Sequence, residues 1–261
     1  MAISVSPPEG YESLQVGTTW GFAPVEVLPW LRDTLGEQAD LREWAKSRPS
    51  ARTLQGRGRV FSVGAPLAGP EGRARWVVRH YHRGGAVARA LKDRYLALGP
   101  PRPVVETRAS VEIRRRGVPT PAVVAGVVYP AGVFYRADLA TEEIPDALDL
   151  AGVLFDASGP VQDMSGALRA ATGLIRLLER KGVHHPDLNA KNIVISHEGG
   201  SVRAHLVDLD RCRVREAGVP APSLPMRRRL MRSLRKLEQM SGRLLGAEVW
   251  DAFVEGFEEG A

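Results

Sequence analysis

Hydrophobic and polar residues recur with two different periods along this chain, and the change of period divides it into three zones. Residues 1–50 show a helical pattern from about residue 24 to residue 47, with Trp20, Trp30 and Trp44 around it. Residues 51–145 carry strand-like apolar runs interrupted by one helix, and residues 146–261 become mainly helical. We therefore predict an α+β protein that begins with an N-terminal helical extension, whose tryptophans pack against the main body.

The middle zone is predicted to form a sheet with one helix inserted. It begins with a turn at Gly56 and Gly58, where the absence of side chains would let backbone amides approach a phosphate, although G-x-G alone is common in turns. The strand over residues 74–81 would follow this turn as its hairpin partner. The remaining predicted elements are a helix over residues 104–116, ended by the G-x-P-x-P sequence, and strands over residues 122–128 and 133–139.

The last zone contains an amphipathic helix that leads directly into a polar loop. The helix covers residues 165–181 and stops at Gly182. The loop reads H-P-D-L-N-A-K-N over residues 185–192, which places Asp187 and Asn192 five positions apart. This loop is the most informative motif in the chain.

Two short strands, over residues 193–195 and 204–207, would return the chain so that Asn192 and Asp208 lie side by side. An Asp and an Asn on one loop, with a second Asp after an apolar strand, form the arrangement that a kinase needs for phosphoryl transfer. Asp187 would accept or orient the proton of the attacking hydroxyl, while Asn192 and Asp208 would hold Mg²⁺ ions that bridge the phosphates of ATP. We therefore predict a kinase.

A kinase also needs a cation on the strand after the glycine turn and an acidic partner for it on the next helix. None of the five lysines lies on the strand over residues 74–81, so Arg79 is the candidate cation. The helix offers Glu106 and Glu112, and its register alone leaves the choice between them open.

The segment that follows the last predicted strand would form the hinge between two lobes. It covers residues 141–145, and the adenine of ATP would bond to its backbone at Glu142 and Ile144. The lobes would then comprise residues 51–145 and 146–261.

Composition and charge narrow the environment and the partners. An apolar content of 44% and a charged content of 25% are ordinary for a globular protein, and the single cysteine excludes an internal disulfide or a cysteine-based zinc site. The sequence predicts no secretory signal, and prolines interrupt its longest uncharged run, residues 117–135, so we expect a cytoplasmic protein.

The net charge of +6 favours an anionic partner, and we expect no nucleic acid among the partners. A basic helix over residues 226–240 could contact an anionic membrane or glycolipid, or present a solvated face.

Five linked blocks of the sequence resemble those of one kinase family. They are V-V-R-H-Y-H-R-G-G at residues 77–85, D-R-Y-L at 93–96, Y-R-A-D-L at 135–139, H-P-D-L-N at 185–189 and L-V-D-L-D-R at 206–211. Together they resemble the lipopolysaccharide core kinases, and among those most closely the 3-deoxy-D-manno-octulosonic acid (Kdo) kinases. The resemblance spans residues 56–237, and the linked blocks are more specific than any one motif.

The resemblance implies a protein-kinase-like two-lobed fold that uses ATP and Mg²⁺ to phosphorylate a sugar hydroxyl of the lipid A-linked inner core. The partner would be an anionic glycolipid, met at the cytoplasmic face of the inner membrane with peripheral membrane contact. The residues that match the family's motifs are Asp187 for the catalytic Asp, Asn192 and Asp208 for the metal ligands, Arg79 for the strand cation, and Gly56 and Gly58 for the glycine loop. The family's spacing from the G-x-P-x-P turn favours Glu106 over Glu112.

The chain departs from ordinary protein kinases at two positions, and alternatives stay open. Pro186 stands where an Arg would read a phosphorylated activation loop, Asp210 replaces the Gly after the metal Asp, and no A-P-E block follows. Asp210 could be a further metal ligand, a substrate contact or the partner of an arginine. The acceptor sugar could be Kdo or heptose. A small-molecule kinase uses a similar loop, and a protein kinase is the alternative that these departures disfavour. A nucleotide-binding scaffold without catalysis fits the absent strand lysine, although retention of all three polar residues argues against the scaffold. The oligomeric state is open.

Overall fold

The computed structural model describes residues 5–38, 40–54, 60–82, 93–156 and 163–258, and it divides the chain into two compact units. The sheet unit comprises residues 1–111 and 121–143, and the helical unit comprises residues 112–120 and 144–261. The last passage from one unit to the other, between Glu143 and Ile144, falls within the segment predicted to be a hinge.

The sheet unit is built on an eight-stranded antiparallel sheet, counted over the residues that the structure describes. Its strands are β1 (Glu12–Val16), β2 (Thr19–Ala23), β3 (Arg52–Leu54), β4 (Val60–Gly64), β5 (Arg75–His80), β6 (Tyr95–Leu96), β7 (Val123–Ala131) and β8 (Phe134–Glu142). The order across the sheet is β1-β2-β7-β8-β5-β4-β3, with β6 also paired to β8. The first seven residues of β7 are buried, and the strand overlaps the one predicted over residues 122–128.

The prediction of a separate helical extension over residues 1–50 is wrong in its first half. β1 and β2 form a hairpin around Gly17, whose φ of +57° suits a residue without a Cβ, and β2 then pairs with β7 through Trp20 and Val128. Only the second half is helical, with α1 (Leu28–Glu37) and α2 (Leu41–Lys46) in the range where the helical pattern was recognised. The sequence analysis did not predict β1 and β2 because each strand has only five residues, which is too short for an alternation of apolar and polar residues to be recognised.

The tryptophans of this region pack as predicted against the body of the sheet unit. The ring centroid of Trp30 lies 4.9 Å from that of Trp44 and 4.9 Å from that of Trp76, both in edge-on contacts. Trp76 lies on β5 and is fully buried. Close approach elsewhere in the sheet requires a glycine, since a Cβ on Gly126 of β7 would overlap the ring of Phe22.

The helical unit packs helices against two small sheets. Its helices are α4 (Leu150–Phe155), α5 (Met164–Arg180), α6 (Ser223–Ser241) and α7 (Ala247–Glu258), while α3 (Arg102–Arg115) begins in the sheet unit and ends in the helical one. Its strands are β9 (Leu148–Asp149), β10 (Val183–His184), β11 (Ile193–Glu198), β12 (Ser201–Leu206) and β13 (Arg213–Val214). Over the described part of the chain, no helix has the length and apolar content that crossing a membrane requires.

α5 is the central helix of this unit and confirms the amphipathic prediction. Its inner face buries Leu168, Leu174, Ile175 and Leu178 against α6, α7 and β12. The side chain of Asp163 caps its N-terminus by accepting a hydrogen bond from the Gly166 amide at 2.7 Å. Because the helix stops at Lys181 and Gly182 turns the chain with φ of +69°, the following residues enter the polar loop directly.

Candidate active site

The loop over residues 185–192 is held rigid by hydrogen bonds to its own backbone. The side-chain amides of Asn189 and Asn192 both donate to the carbonyl oxygen of Asp187, at 2.9 and 3.1 Å. Asn189 also accepts a hydrogen bond from the Lys191 amide at 3.0 Å, so both ends of its side chain are engaged within the loop. These contacts fix the backbone of Asp187 and leave its carboxylate to face outward, half-buried.

The hairpin that follows the loop brings Asn192 and Asp208 together, as the sequence predicted. β11 and β12 pair in register from Ile193 opposite Leu206, and the amide of Val207 donates to the carbonyl of Asn192 at 3.0 Å. Since the side-chain nitrogen of Asn192 is engaged with Asp187, its oxygen is the end that could bind a cation.

Asp208 adopts a backbone conformation that its surroundings must hold in place. Its φ of 64° and ψ of 60° lie in the left-handed region, which an Asp tolerates better than most residues but still adopts at a cost. The buried His185 donates from Nε2 to the carbonyl oxygen of Asp208, 3.1 Å away. Burial lowers the pKa of His185 more than the neighbouring Asp208 raises it, so the imidazole is neutral at pH 7 and carries its proton on the donating nitrogen.

The oxygen atoms at this site fit a hard divalent cation. An amide oxygen and a carboxylate, from Asn192 and Asp208, are ligand types that Mg²⁺ accepts, and the ion commonly completes its shell with water and substrate phosphates. No group of three or more His, Cys, Asp or Glu side chains that could hold a metal occurs among the described residues.

Sequence reasoning missed the closest partner of Asp187. Nη2 of Arg229, on α6, donates to Oδ1 of Asp187, and the side chains of the two residues are 45% and 24% exposed. The same helix fixes the loop at a second point, since the hydroxyl of Ser233 accepts a hydrogen bond from the Ala190 amide at 3.2 Å. Arg229 lies 42 residues beyond Asp187, so nothing local in the sequence links them.

The sheet unit carries the predicted strand cation in an ion pair. Arg79, on β5, pairs with Glu106 of α3, and the hydroxyl of Tyr81 donates to the same carboxylate at 2.6 Å. Glu112 instead pairs with Arg116, with Nε and Oε1 2.7 Å apart. Between the two acidic candidates on this helix, the structure therefore joins Glu106 to Arg79.

A second cluster involves the next residue of β5, whose side chain points to the opposite face of the sheet, and we refer to His80, Asp93, Tyr129 and Asp138 as the inner cluster. Nδ1 and Nε2 of the His80 ring lie 2.5 Å from Asp138 and 3.0 Å from Asp93. Asp138 also accepts hydrogen bonds from the Tyr129 hydroxyl at 2.8 Å and from the Arg42 amide at 3.1 Å. His80, Asp93 and Asp138 lie in three of the sequence blocks described above, but the sequence alone indicated no role for them.

The predicted glycine turn at Gly56 and Gly58 lies outside the described residues. The strands on either side of it are β3 and β4, which pair with each other from Leu54 opposite Val60. β5 pairs with β4 rather than directly across the turn, so the expectation that residues 74–81 would be the turn's hairpin partner is wrong. The apolar run over residues 60–64 forms a strand of its own, which the sequence reading did not separate from the turn.

The predicted hinge residues have contacts that restrict their use. The buried carboxylate of Glu142 accepts hydrogen bonds from the amides of Glu71 at 2.9 Å and Arg73 at 3.1 Å, and its own amide donates to the Ala122 carbonyl at 2.9 Å. Ile144 is half-buried at the start of the helical unit. Adenine binding at this segment stays a prediction, and at Glu142 it would have to use the carbonyl oxygen.

Comparison with known proteins agrees with the resemblance seen in the sequence. The profile of the lipopolysaccharide kinase (Kdo/WaaP) family matches residues 42–245. A 3-deoxy-D-manno-octulosonic acid kinase of Xanthomonas oryzae pv. oryzae is 37% identical over 187 residues, which cover 70% of this chain and 68% of that protein. Its counterpart in Vibrio parahaemolyticus is 29% identical over 181 residues, covering 69% and 71%. A solved structure of WaaP in complex with acyl carrier protein has 17% identity and a TM-score of 0.46, covering 85% of this chain and 83% of WaaP.

Proposed function

Because this chain belongs to the lipopolysaccharide kinase (Kdo/WaaP) family, we propose that it transfers the γ-phosphoryl group of ATP to a sugar hydroxyl of the lipopolysaccharide inner core. Kdo is the proposed acceptor sugar, since the relatives of this chain in Xanthomonas and Vibrio are named 3-deoxy-D-manno-octulosonic acid kinases. The observation that carries the proposal is the rigid loop that presents Asp187 next to the Asn192 and Asp208 pair.

In this reaction the acceptor hydroxyl oxygen forms a bond to the γ-phosphorus while the bond between that phosphorus and the β-γ bridging oxygen breaks, releasing ADP. Asp187 accepts the hydroxyl proton, and Arg229 holds its carboxylate in position. Asn192 and Asp208 would hold Mg²⁺ through their oxygen atoms, and the ion would supply positive charge to neutralise the phosphates. The neutral His185 keeps the Asp208 backbone in its left-handed conformation.

Nucleotide binding is assigned to residues of the sheet unit and the hinge segment. Arg79 would contact phosphate oxygens, because Glu106 and the face of Tyr81, 4.6 Å away, hold its guanidinium in a fixed orientation. The backbone of Gly56 and Gly58 would approach the phosphates, and the backbone at Glu142 and Ile144 would bond the adenine. The arginine replaces the lysine usual at this strand position, and it offers two parallel donors to a phosphate.

We further propose peripheral contact with the cytoplasmic face of the inner membrane, where a lipid-linked acceptor would be met. The observation that supports this is the exposed basic face of α6. Such helices are attracted to anionic surfaces by roughly 1 kcal/mol per cation near the surface.

The decisive experiment follows labelled phosphate from ATP with Mg²⁺ into three acceptors: Kdo-lipid A, the same lipid A without Kdo, and a protein mixture. The wild type is compared with Asp187→Asn and with Asp33→Asn, a matched change at an exposed position on α1. We expect label only in Kdo-lipid A, a loss of about a hundredfold to ten-thousandfold in Asp187→Asn, and full activity in Asp33→Asn.

Label in the protein mixture alone would replace this function with that of a protein kinase. Unchanged transfer by Asp187→Asn would remove Asp187 from the mechanism. ATP binding without transfer to any acceptor would contradict the proposed substrate.

A further inference from the structure

α6 carries more positive charge than any other helix described, and it carries that charge on one side. At 3.6 residues per turn, its five exposed cations fall within about 120° of the circumference. We call them the basic ridge: Arg228, Arg229, Arg232, Arg235 and Lys236. The opposite side buries Met226, Leu230 and Leu234, so packing fixes which way the ridge faces.

Within the described part of the chain, the acidic residues do not neutralise this ridge. Arg229 is the member that has an acidic partner, and that partner is Asp187. The one carboxylate on the helix, Glu238, accepts hydrogen bonds from the Leu245 amide at 2.8 Å and the Trp250 indole at 3.3 Å. Like charges three and four positions apart on a helix destabilise it, which favours a role for the ridge in binding an anion.

The ridge begins at the reacting centre. Arg229 touches the carboxylate that is proposed to receive the acceptor's proton, and the whole ridge, from Arg228 to Lys236, spans about 12 Å of helix. An arginine has five N–H donors, and the side chain of Arg229 is 45% exposed, so it can keep Asp187 oriented and still bind an anion on its open side. An anion bound there would lie next to the Asp187 carboxylate.

We propose that the basic ridge is the binding site for the anionic groups of the acceptor, and that Arg229 binds the carboxylate of the sugar that is phosphorylated. This inference rests on the proposed function. An octulosonic acid carries its carboxylate on the same sugar as its hydroxyls, so a hydroxyl at Asp187 places that carboxylate near Arg229. The other ridge cations then face the phosphates of the attached lipid A, and the site distinguishes an acidic sugar from a neutral one.

The test removes charges from the protein and from the acceptor, separately and together, and compares the resulting KM values. Wild type, Arg229→Ala and the triple change Arg232→Ala, Arg235→Ala, Lys236→Ala are assayed with Kdo-lipid A, its carboxyl methyl ester and its dephosphorylated form. For the wild type, we expect both modified acceptors to have a KM about ten to a hundred times higher, the effect of losing a charge-assisted hydrogen bond. In Arg229→Ala the ester should no longer be penalised relative to the acid, and in the triple variant the dephosphorylated form should no longer be penalised.

Two controls separate binding from folding and from positioning. Arg32→Ala removes an exposed arginine from α1 and should leave every KM unchanged, while thermal unfolding establishes that each variant is folded. Arg229→Lys keeps the charge and should recover part of the preference for the acid.

The possible results separate a failure of the proposed kinase function from a failure of the role assigned to the basic ridge. No label in any Kdo acceptor with the wild type would overturn the proposed function, and the inference with it. Label with equal losses for acid and ester in Arg229→Ala, seen in kcat alone, would leave the function standing and reduce Arg229 to a positioning residue for Asp187. A raised KM for ATP in either variant would assign the ridge to the nucleotide and overturn the inference.

Discussion

The inner cluster of the sheet unit and the polar loop of the helical unit both combine carboxylates with cations, yet they use them in opposite ways. Asp138 is fully buried and accepts from His80, Tyr129 and the Arg42 amide, so its donors come from three different parts of the chain. Asp187 is held through its backbone carbonyl, and its carboxylate meets one exposed arginine. The first arrangement buries a carboxylate within the fold, and the second leaves a carboxylate partly accessible to solvent.

The difference shows how motif residues should be read. A block such as R-H-Y at residues 79–81 places its Arg and Tyr on one carboxylate, Glu106, and its His on another, Asp138. The side chains of successive strand residues point to opposite faces of a sheet, so two adjacent residues of a motif contact different partners. His80 therefore contacts the buried Asp138, while Arg79 contacts Glu106.

Replacing the two aspartates in parallel gives the largest expected contrast. Asp138→Ala removes the acceptor for three donors in a buried site and should lower the free energy of unfolding by about 3–5 kcal/mol. Asp187→Ala removes an exposed ion pair and should lower it by less than about 1 kcal/mol. Urea unfolding followed by tryptophan fluorescence measures the first change well, since four of the five tryptophans lie in the sheet unit.

An equal loss of stability in Asp187→Ala and Asp138→Ala would contradict the difference drawn between the polar loop and the inner cluster. That result would mean that the loop, like the inner cluster, is part of what holds its unit together. Asp33→Ala on α1 serves as the control for the loss of an exposed carboxylate.

The next largest effect is expected at Glu106. In Glu106→Gln the shape is retained while Arg79 loses its charge partner, and the Tyr81 hydroxyl loses a charged acceptor. Burial and the Glu106 carboxylate raise the pKa of Tyr81 well above 10.0, so this hydroxyl remains a donor at every accessible pH. We expect a loss of about 1–3 kcal/mol in stability and a raised KM for ATP with unchanged KM for the acceptor, measured by steady-state kinetics. A KM for ATP equal to that of the wild type would remove Arg79 from nucleotide binding.

Most of the elements that support these sites could be predicted from the sequence, whereas the contacts between distant elements could not. The helix over residues 164–180 and the hairpin from Ile193 to Leu206 follow from apolar periodicity, and so does the closeness of Asn192 to Asp208. Arg229 and Asp138 were missed because their partners lie 42 and 58 residues away along the chain, and periodicity carries no information about such pairs.

A pH series tests the charge of the inner cluster. Burial on its own would lower the pKa of His80, but the hydrogen bonds and charges of Asp138 and then Asp93 outweigh it and raise the pKa above 6.5. The group's contribution to stability is therefore complete below pH 6.5 and is lost as the pH rises through the raised value. We expect the free energy of unfolding to fall as the pH rises above 6.5, and to fall less steeply in His80→Gln. His197→Gln, at an exposed position on β11, should keep the wild-type slope, and equal slopes for all three proteins would contradict the charged inner cluster.

The smallest expected effect comes from the carboxylate that the sequence left as an alternative to Glu106. Glu112, near the end of α3, pairs with Arg116 four residues further on, and the two side chains are 40% and 17% exposed. Arg116 also donates to the Lys181 carbonyl at 2.9 Å. A pair of this spacing contributes about 0.3–0.5 kcal/mol at the surface, so Glu112→Gln should lower stability by about that amount and leave the KM for ATP unchanged. Glu106→Gln and Glu112→Gln each remove one acidic side chain from the same helix. An effect on the KM for ATP that is seen in Glu106→Gln alone is therefore due to the ion pair with Arg79 and not to the loss of a negative charge in general. A raised KM for ATP in Glu112→Gln would contradict the assignment of Glu106 as the acidic residue that positions Arg79 for the nucleotide.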